Sequence, residues 1–252
     1  LERSISVIVA TYCKENLDYL KLTLESLKRQ EKVKPEVILV SSGDFQPDVG
    51  NLCYLHFHSD TRLHYAEAIN RGIEMSKGDY IVISNDDLVY TKYALYTMAA
   101  SIQGGHAILN PLSNCDNMWA FVTPFTFEHE GKTIEMDKRF YRWDEWAPYH
   151  ESMMNAVSPF KYMLIDRTLQ GNCFYCTMMP RITWELVGKL DEKLRTGLED
   201  KDYSRRAMLK GVKSYIAAHS LVWHFGGVSA EKAMDNLTKM ENQAYYDLKW
   251  NY

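Results

Sequence analysis

Asp86 and Asp87 follow directly on Tyr80-Ile81-Val82-Ile83-Ser84-Asn85, an apolar run of the kind that forms a buried strand. Packing gives no reason for two adjacent carboxylates at a strand end. They repel, and a divalent cation is the usual compensation. A second acidic cluster, Glu199-Asp200-Lys201-Asp202, stands where a helix begins. Acids in a first helical turn also complement the macrodipole and cap free N–H groups, so a structural reading stands beside a catalytic one. His224, in Trp223-His224-Phe225-Gly226-Gly227, is either a satisfied core imidazole beside a glycine turn or a ligand. Cys173-Phe174-Tyr175-Cys176 has C-x-x-C spacing, but no second cysteine pair lies at zinc-finger distance. Cys173 to Met179 reads as a buried strand carrying plain core cysteines.

These residues need elements to position them. Ser6 to Ala10 predicts a first strand, and Leu17, Leu20, Leu24 and Leu27 recur at helical steps up to Lys28-Arg29. Val37 to Val40 predicts a second strand ending in the turn residues Ser41-Ser42-Gly43-Asp44, and Leu52 to Phe57 a third. Tyr65 to Met75 is a helical pattern, broken by Lys77-Gly78-Asp79 before the strand that leads to Asp86. Such alternation implies parallel strands with crossover helices, an open α/β sheet whose ligands bind beyond the carboxyl ends of the strands. Thr11-Tyr12, Ser41 to Asp44 and Asn85 to Asp87 should therefore share one rim.

Periodicity fails from Leu109 to Gln170, where Trp119, Phe121, Phe125, Phe127, Phe140, Tyr141, Trp143, Trp146 and Tyr149 crowd together. A structureless loop of this length is unusual in a compact domain, so an elaboration over the rim is expected, with a short helix near Glu151 to Ala156. Regular patterns then return: a strand from Cys173 to Met179, a helix from Thr183 to Val187 stopped by Gly188, and a helix from Glu199 to Lys210-Gly211. A strand from Lys213 to Ala218 and an amphipathic helix within Ser229 to Trp250 complete the chain.

Composition bounds the function. The 252 residues can bury a substantial core, and a formal charge of −4 gives no support to general nucleic-acid binding. No stretch reaches the roughly 20 apolar residues of a membrane span. The start lacks a signal-peptide pattern, and five cysteines (Cys13, Cys53, Cys115, Cys173, Cys176) are an odd number in apolar surroundings. Reduced thiols and a cytoplasmic location are expected, with peripheral membrane association left open.

The order of these segments resembles the inverting family 2 glycosyltransferases, whose fold is called GT-A. Ser6 to Tyr12 resembles the family's opening strand, and Ala66 to Gly72 followed by Lys77 to Tyr80 resembles the helix that leads to its metal strand. Asn85-Asp86-Asp87 matches the D-x-D position in the Asn-first form of rhamnosyltransferase-like members. Gly188 to Leu194 and Leu198 to Arg206 resemble G-x-x-D-E-x-(F/L) and E-D-x-D-x-x-x-R, and Val222 to Ser229 resembles the closing histidine segment. The resemblance covers roughly residues 4 to 90 and 171 to 229.

It implies a single GT-A domain over residues 1–252: a Rossmann-like, open, mostly parallel sheet flanked by helices, with the aromatic-rich insertion on the acceptor side. Residues 1–108 would form the nucleotide-sugar-binding half and 109–252 the acceptor-binding and catalytic half. Asp200 would be the general base with Glu199 as neighbour and fallback. Thr11, Tyr12, Glu15, Ser42, Asp44, Asn70, Asn85 and Asp86 would bind the nucleotide sugar, and Asp87 and His224 would hold Mn2+ or Mg2+. The partners are a nucleotide-diphosphate sugar and a saccharide or other hydroxyl-bearing acceptor. Two departures stand out: Ser41-Ser42 replaces the family's base-binding Asp, and Asn85 offers an oxygen without charge. Glu199 and Asp202 should raise the pKa of Asp200, while the helix N-terminus opposes this. Two other classes compete. A metal-dependent nucleotidyltransferase or phosphohydrolase also uses strand-end carboxylates, but Thr11-Tyr12-Cys13-Lys14-Glu15 lacks the glycine of a phosphate loop. A non-catalytic carbohydrate-binding domain on the same fold is the other.

Overall fold

The computed structural model describes residues 4–12, 14–102, 104–114, 125–136, 145, 147–158, 160–226 and 236–250. Among these, nine strands form one sheet. Strands β1 (Ile5–Thr11), β2 (Glu36–Ser42), β3 (Leu55–Ser59) and β4 (Tyr80–Ser84) pair in parallel in the order β3-β2-β1-β4. The order then continues through β10 (Cys176–Pro180), β6 (Ala107–Ser113), β11 (Lys213–His224) and β5 (Leu88–Tyr90), with β9 (Leu164–Asp166) beside β11. β10 runs antiparallel to β4, and β5 antiparallel to the end of β11. The expected mixed α/β architecture with a parallel core is present.

Alternation within each strand supplies both faces of the sheet. Val7 and Val9 of β1 pack with Leu20, Leu24 and Leu27 of α1 (Leu17–Lys28), while Ile8 between them packs with Ile69 and Ile73 of α2 (Tyr65–Met75). Helix α2 lies so close to β1 that a Cβ on Gly72 would sit 2.3 Å from Ile8 Cγ2. A side chain there would force the helix away from the sheet.

Several boundaries differ from those the sequence suggests. The third strand lies three residues later than the apolar run. The strand expected over Cys173–Met179 begins at Cys176, and Cys173 is exposed rather than part of the core. The last strand runs unbroken from Lys213 to His224 through a bulge between Ala217 and Leu221, so His224 ends that strand. The irregular middle contains β6, a hairpin of β7 (Phe125–His129) and β8 (Lys132–Met136), and helix α4 (His150–Asn155) after α3 (Ala94–Ser101). Phe127 packs edge-on against Trp223 and Tyr149, which makes it part of an aromatic subcore. Trp119, Phe121, Phe140, Tyr141, Trp143 and Trp146 lie outside the described residues, as do Cys13, Cys115 and the start of the terminal helix expected from Ser229. Helices α5 (Arg181–Val187), α6 (Glu199–Leu209) and α7 (Asn236–Trp250) complete the layers.

Candidate active site

The rim forms where β1 and β4 end. Thr11 Oγ1 and Asn16 Nδ2 both donate to Asp86 Oδ2, at 2.7 and 3.3 Å. Burial and the neighbouring Asp87 push the Asp86 pKa up to about 6, against the pull of these donors. Thr11 and Asp86, which the sequence reading assigns to the donor, also brace one strand end against the other. Asn70 is buried on α2, its amide nitrogen donates to Leu190 O and Glu192 Oε1, and its oxygen accepts from Leu190 N. All of these bonds fasten the segment ahead of α6.

Asp87 and His224 do meet. Phe225 N donates to Asp87 O, and β5 pairs with the end of β11 so that His224 stands opposite Leu88. His224 Nε2 comes 3.2 Å from Asp87 Oδ1 and 3.4 Å from Asn85 Nδ2. Asn114 grips the histidine backbone from both sides, and Tyr175 stacks on its ring at 5.2 Å. Asp87 Oδ1 is buried, with the His224 ring nitrogen beside it. A carboxylate oxygen and an imidazole nitrogen suit a divalent cation such as Mn2+. No group of three or more ligating side chains is found among the described residues, so any such ion would need substrate phosphates or water to complete its shell.

The second acidic cluster stands on a turn ahead of α6. Leu198 adopts a left-handed φ of 71°, an uncommon state for a branched residue, and this turn delivers Glu199 and Asp200 at the start of α6. Glu199 is buried, with Oε2 unpartnered. Burial, then the Asp200 charge, raise its pKa to about 8. Asp200, half-buried, is raised mainly by desolvation, while the Lys201 N–H that it accepts at 2.7 Å works against this. Asp202 plays no part in that shift. Fully buried, it is bound by Arg206 Nε, Lys249 Nζ and Trp250 Nε1 at 2.7–2.9 Å, and so faces away toward α7.

Tyr65 lies near both clusters. Its hydroxyl donates to Phe174 O at 2.7 Å and lies 3.3 Å from Asn85 Oδ1. Its pKa is driven well above the ordinary value by burial and then by the charges of Glu199, Asp200 and Asp86. From sequence it looks like one more core aromatic at a helix start; its neighbours Asn85 and Glu199 are far away in the chain. Arg62, whose guanidinium lies 4.6 Å above the half-buried Tyr12 ring, also went unpredicted. Glu15 and Asp44 are exposed on the loops after β1 and β2, and Ser42 is buried at the end of β2. Ser41 beside it holds His56 Nε2 and His58 Nδ1, each 2.8 Å from its hydroxyl.

The fold and this rim define an open α/β domain with acidic residues at the carboxyl ends of its strands. The family described as glycosyl transferase family 2 matches residues 6–183, and the chain belongs to it. Solved structures with the same fold include GalNAc-T7 with UDP, GalNAc and Mn2+ (TM-score 0.60, 13% identity, 88% of this chain and 44% of that one). A mannosyltransferase, PcManGT from Pyrobaculum calidifontis with GDP-Man and Mn2+, gives TM-score 0.59 at 13% identity over 90% of this chain and 58% of its own. S. aureus TarS 1-349 gives TM-score 0.55 at 17% identity, over 94% and 65%. The chain thus spans from under half to about two thirds of the length of these structures. No curated protein matches the sequence. No helix among the described residues is long and apolar enough to cross a membrane.

Proposed function

We propose that this chain transfers a sugar from a nucleotide-diphosphate sugar to an acceptor hydroxyl with inversion. The observation that carries the reading is Tyr65, which sits between Asn85 at the rim and the charges of Glu199 and Asp200. This supports reading the two acidic clusters as parts of one site. Family membership and the UDP and GDP-Man complexes of similar folds support a nucleotide-sugar donor, bound mainly by residues 1–108. Glycan or polysaccharide synthesis with a hexosyl or deoxyhexosyl donor is the role proposed. The Asn-first strand end supports a rhamnosyltransferase-like subgroup.

Asp200 takes the acceptor proton. Its raised pKa improves the match of a carboxylate to that task, and the half-buried position leaves it reachable. Glu199, protonated up to about pH 8, leaves the pair with one negative charge at neutral pH. Asp87 and His224 are the pair that would hold Mn2+ or Mg2+. A bound cation there would neutralise charge on the departing diphosphate. The Mn2+ in GalNAc-T7 and PcManGT supports this choice. Direct attack by the activated hydroxyl inverts the anomeric centre.

Asp200→Asn should lower kcat by about 10²–10⁴-fold with donor affinity unchanged. Asp87→Ala should instead weaken metal-dependent donor binding. Near wild-type turnover of Asp200→Asn sinks the base assignment, and full activity in EDTA sinks the metal. Release of pyrophosphate or nucleoside monophosphate, in place of nucleoside diphosphate plus glycoside, would favour the nucleotidyltransferase or phosphohydrolase class.

A further inference from the structure

A pocket of about 400 Å3 opens along the flank of α6, and none of the donor-rim or metal-pair residues lines it. Lys201, Ser204, Arg205 and Met208 form one wall. Their helical spacing puts them on one flank, which begins one residue after Asp200 and rises about 10 Å. The turn at Leu169, Gln170 and Gly171 forms the opposite wall, and Tyr246 of α7 contributes an aromatic surface. That turn is fixed against the helix. Gly171 has φ +78°, and a Cβ there would lie 2.7 Å from Ser204 Cβ, while Asn172 N donates to Ser204 Oγ.

The lining holds two cations and no carboxylate. Nearby acids are engaged elsewhere: Asp166 accepts from Thr168 N, Asp202 is bound by Arg206 and Lys249, and Asp247 accepts from Gln243. Arg205 is held in place, its guanidinium 4.6 Å from the Trp250 ring centre and donating to Trp250 O. Leu169 and Met208 add apolar surface. Asn172, the next residue along the turn, lies behind the lining rather than in it. It is 6% exposed, yet both polar atoms of its amide lack a hydrogen-bond partner. Such a buried amide marks a place where a ligand group or a water belongs. Two residues further on, Phe174 offers its carbonyl to Tyr65. The turn that lines the pocket is thus three residues ahead of a backbone group bonded to Tyr65, and Lys201 of the facing wall directly follows Asp200 in the chain.

We infer that this pocket is an acceptor subsite for a saccharide bearing an anionic group, with phosphate or carboxylate seated between Lys201 and Arg205 and a sugar face on Tyr246. The inference rests on the proposed role of Asp200, since adjacency to the base is what makes the pocket an acceptor site. Calorimetric titration of the whole chain with glucose 6-phosphate, glucuronate, glucose and inorganic phosphate tests it, alongside Lys201→Glu and Gln170→Glu. One of the two anionic sugars should bind at least about tenfold more tightly than glucose or inorganic phosphate, and each variant should lose about tenfold. Gln170→Glu adds one charge on an exposed turn with little change of shape, and keeps the test decisive if Lys201→Glu misfolds. Equal binding by folded variants, inorganic phosphate as tight as the sugar phosphate, or no binding of either anionic sugar overturns the inference. A parallel nucleotide-sugar titration separates the two failures. Donor binding and turnover without anionic-sugar binding removes only the subsite, whereas absence of any donor binding removes the functional reading and the subsite with it.

Discussion

The two acidic walls of the site are held by different physics. Asp86 and Asp87 leave a strand whose neighbours on both sides are strands, with Val82 and Ile83 at 0% exposure between two apolar layers. Glu199 and Asp200 follow a strained turn held by polar bonds from distant parts of the chain. Asn242 of α7 donates to Thr196 O and Gly197 O, and Lys249 joins Asp191 to Asp202. The strand-end cluster is thus a rim of the core, and the Glu199-Asp200 cluster follows a loop clamped from outside. Damage to the core should lower stability while leaving the catalytic ratio intact; damage to the clamp should lower both.

The largest expected effect comes from Glu199. It keeps its proton to about pH 8 in the fold but only to about pH 4.3 when unfolded. Between those values the folded chain binds more protons, so this group's stabilising contribution is full below about pH 4 and declines to about pH 8. Glu199→Gln cannot ionise in either state and should remove that slope. The variant should gain about 3–5 kcal/mol over wild type at pH 8 relative to pH 4, read from urea unfolding at several pH values. Parallel pH profiles would show that the carboxyl is ionised in the fold.

Leu24→Ala tests the core side. It deletes a fully buried side chain beneath β1, so unfolding should become about 2–5 kcal/mol easier while kcat of the folded fraction stays within twofold. Lys249→Met tests the clamp. Asp202 keeps Arg206 and Trp250 but loses its lysine, for about 2–3 kcal/mol, and kcat should fall at least about tenfold with donor KM unchanged. Equal kcat for wild type and Lys249→Met would erase the distinction between the two walls. The smallest effect is expected at Leu198→Gly, which relieves the left-handed backbone. Stability should rise by about 1 kcal/mol while kcat drops, because the turn no longer has a single preferred shape.

What could be read from the sequence follows the same division. Leu17, Leu20, Leu24 and Leu27 announce α1 because burying one helical face imposes its period, and Tyr80 to Ser84 announces β4 for the same reason. The acidic strand end stood out because core packing does not ask for it. Strand β6 stayed hidden. It carries Asn110 and Pro111, whose polar groups are met by Cys173 O, Cys176 O and the Tyr175 hydroxyl, partners more than sixty residues away. Strand β5 is three residues long, too short for a period to show. The internal partners of Thr11, Asp86 and Asn70 are visible only in the structure. Asp202 was read as a charge acting on Asp200, and its neutralisation by α7 could not be read from the local acidic run. Tyr65 and Lys249 share that reason: each acts on residues distant in the chain, and local pattern carries no trace of it.

The clamp also sets an order of events during synthesis. Strands β1 to β4 and helices α1 and α2 are all made before residue 85, whereas Lys249 leaves the ribosome some fifty residues after Asp200. At about 5–20 residues per second, the base turn spends several seconds outside the ribosome without its fastener. During that interval the nascent chain can complete its parallel strands while the Glu199-Asp200 turn stays unfastened, so the strand-end rim is built before its acidic counterpart.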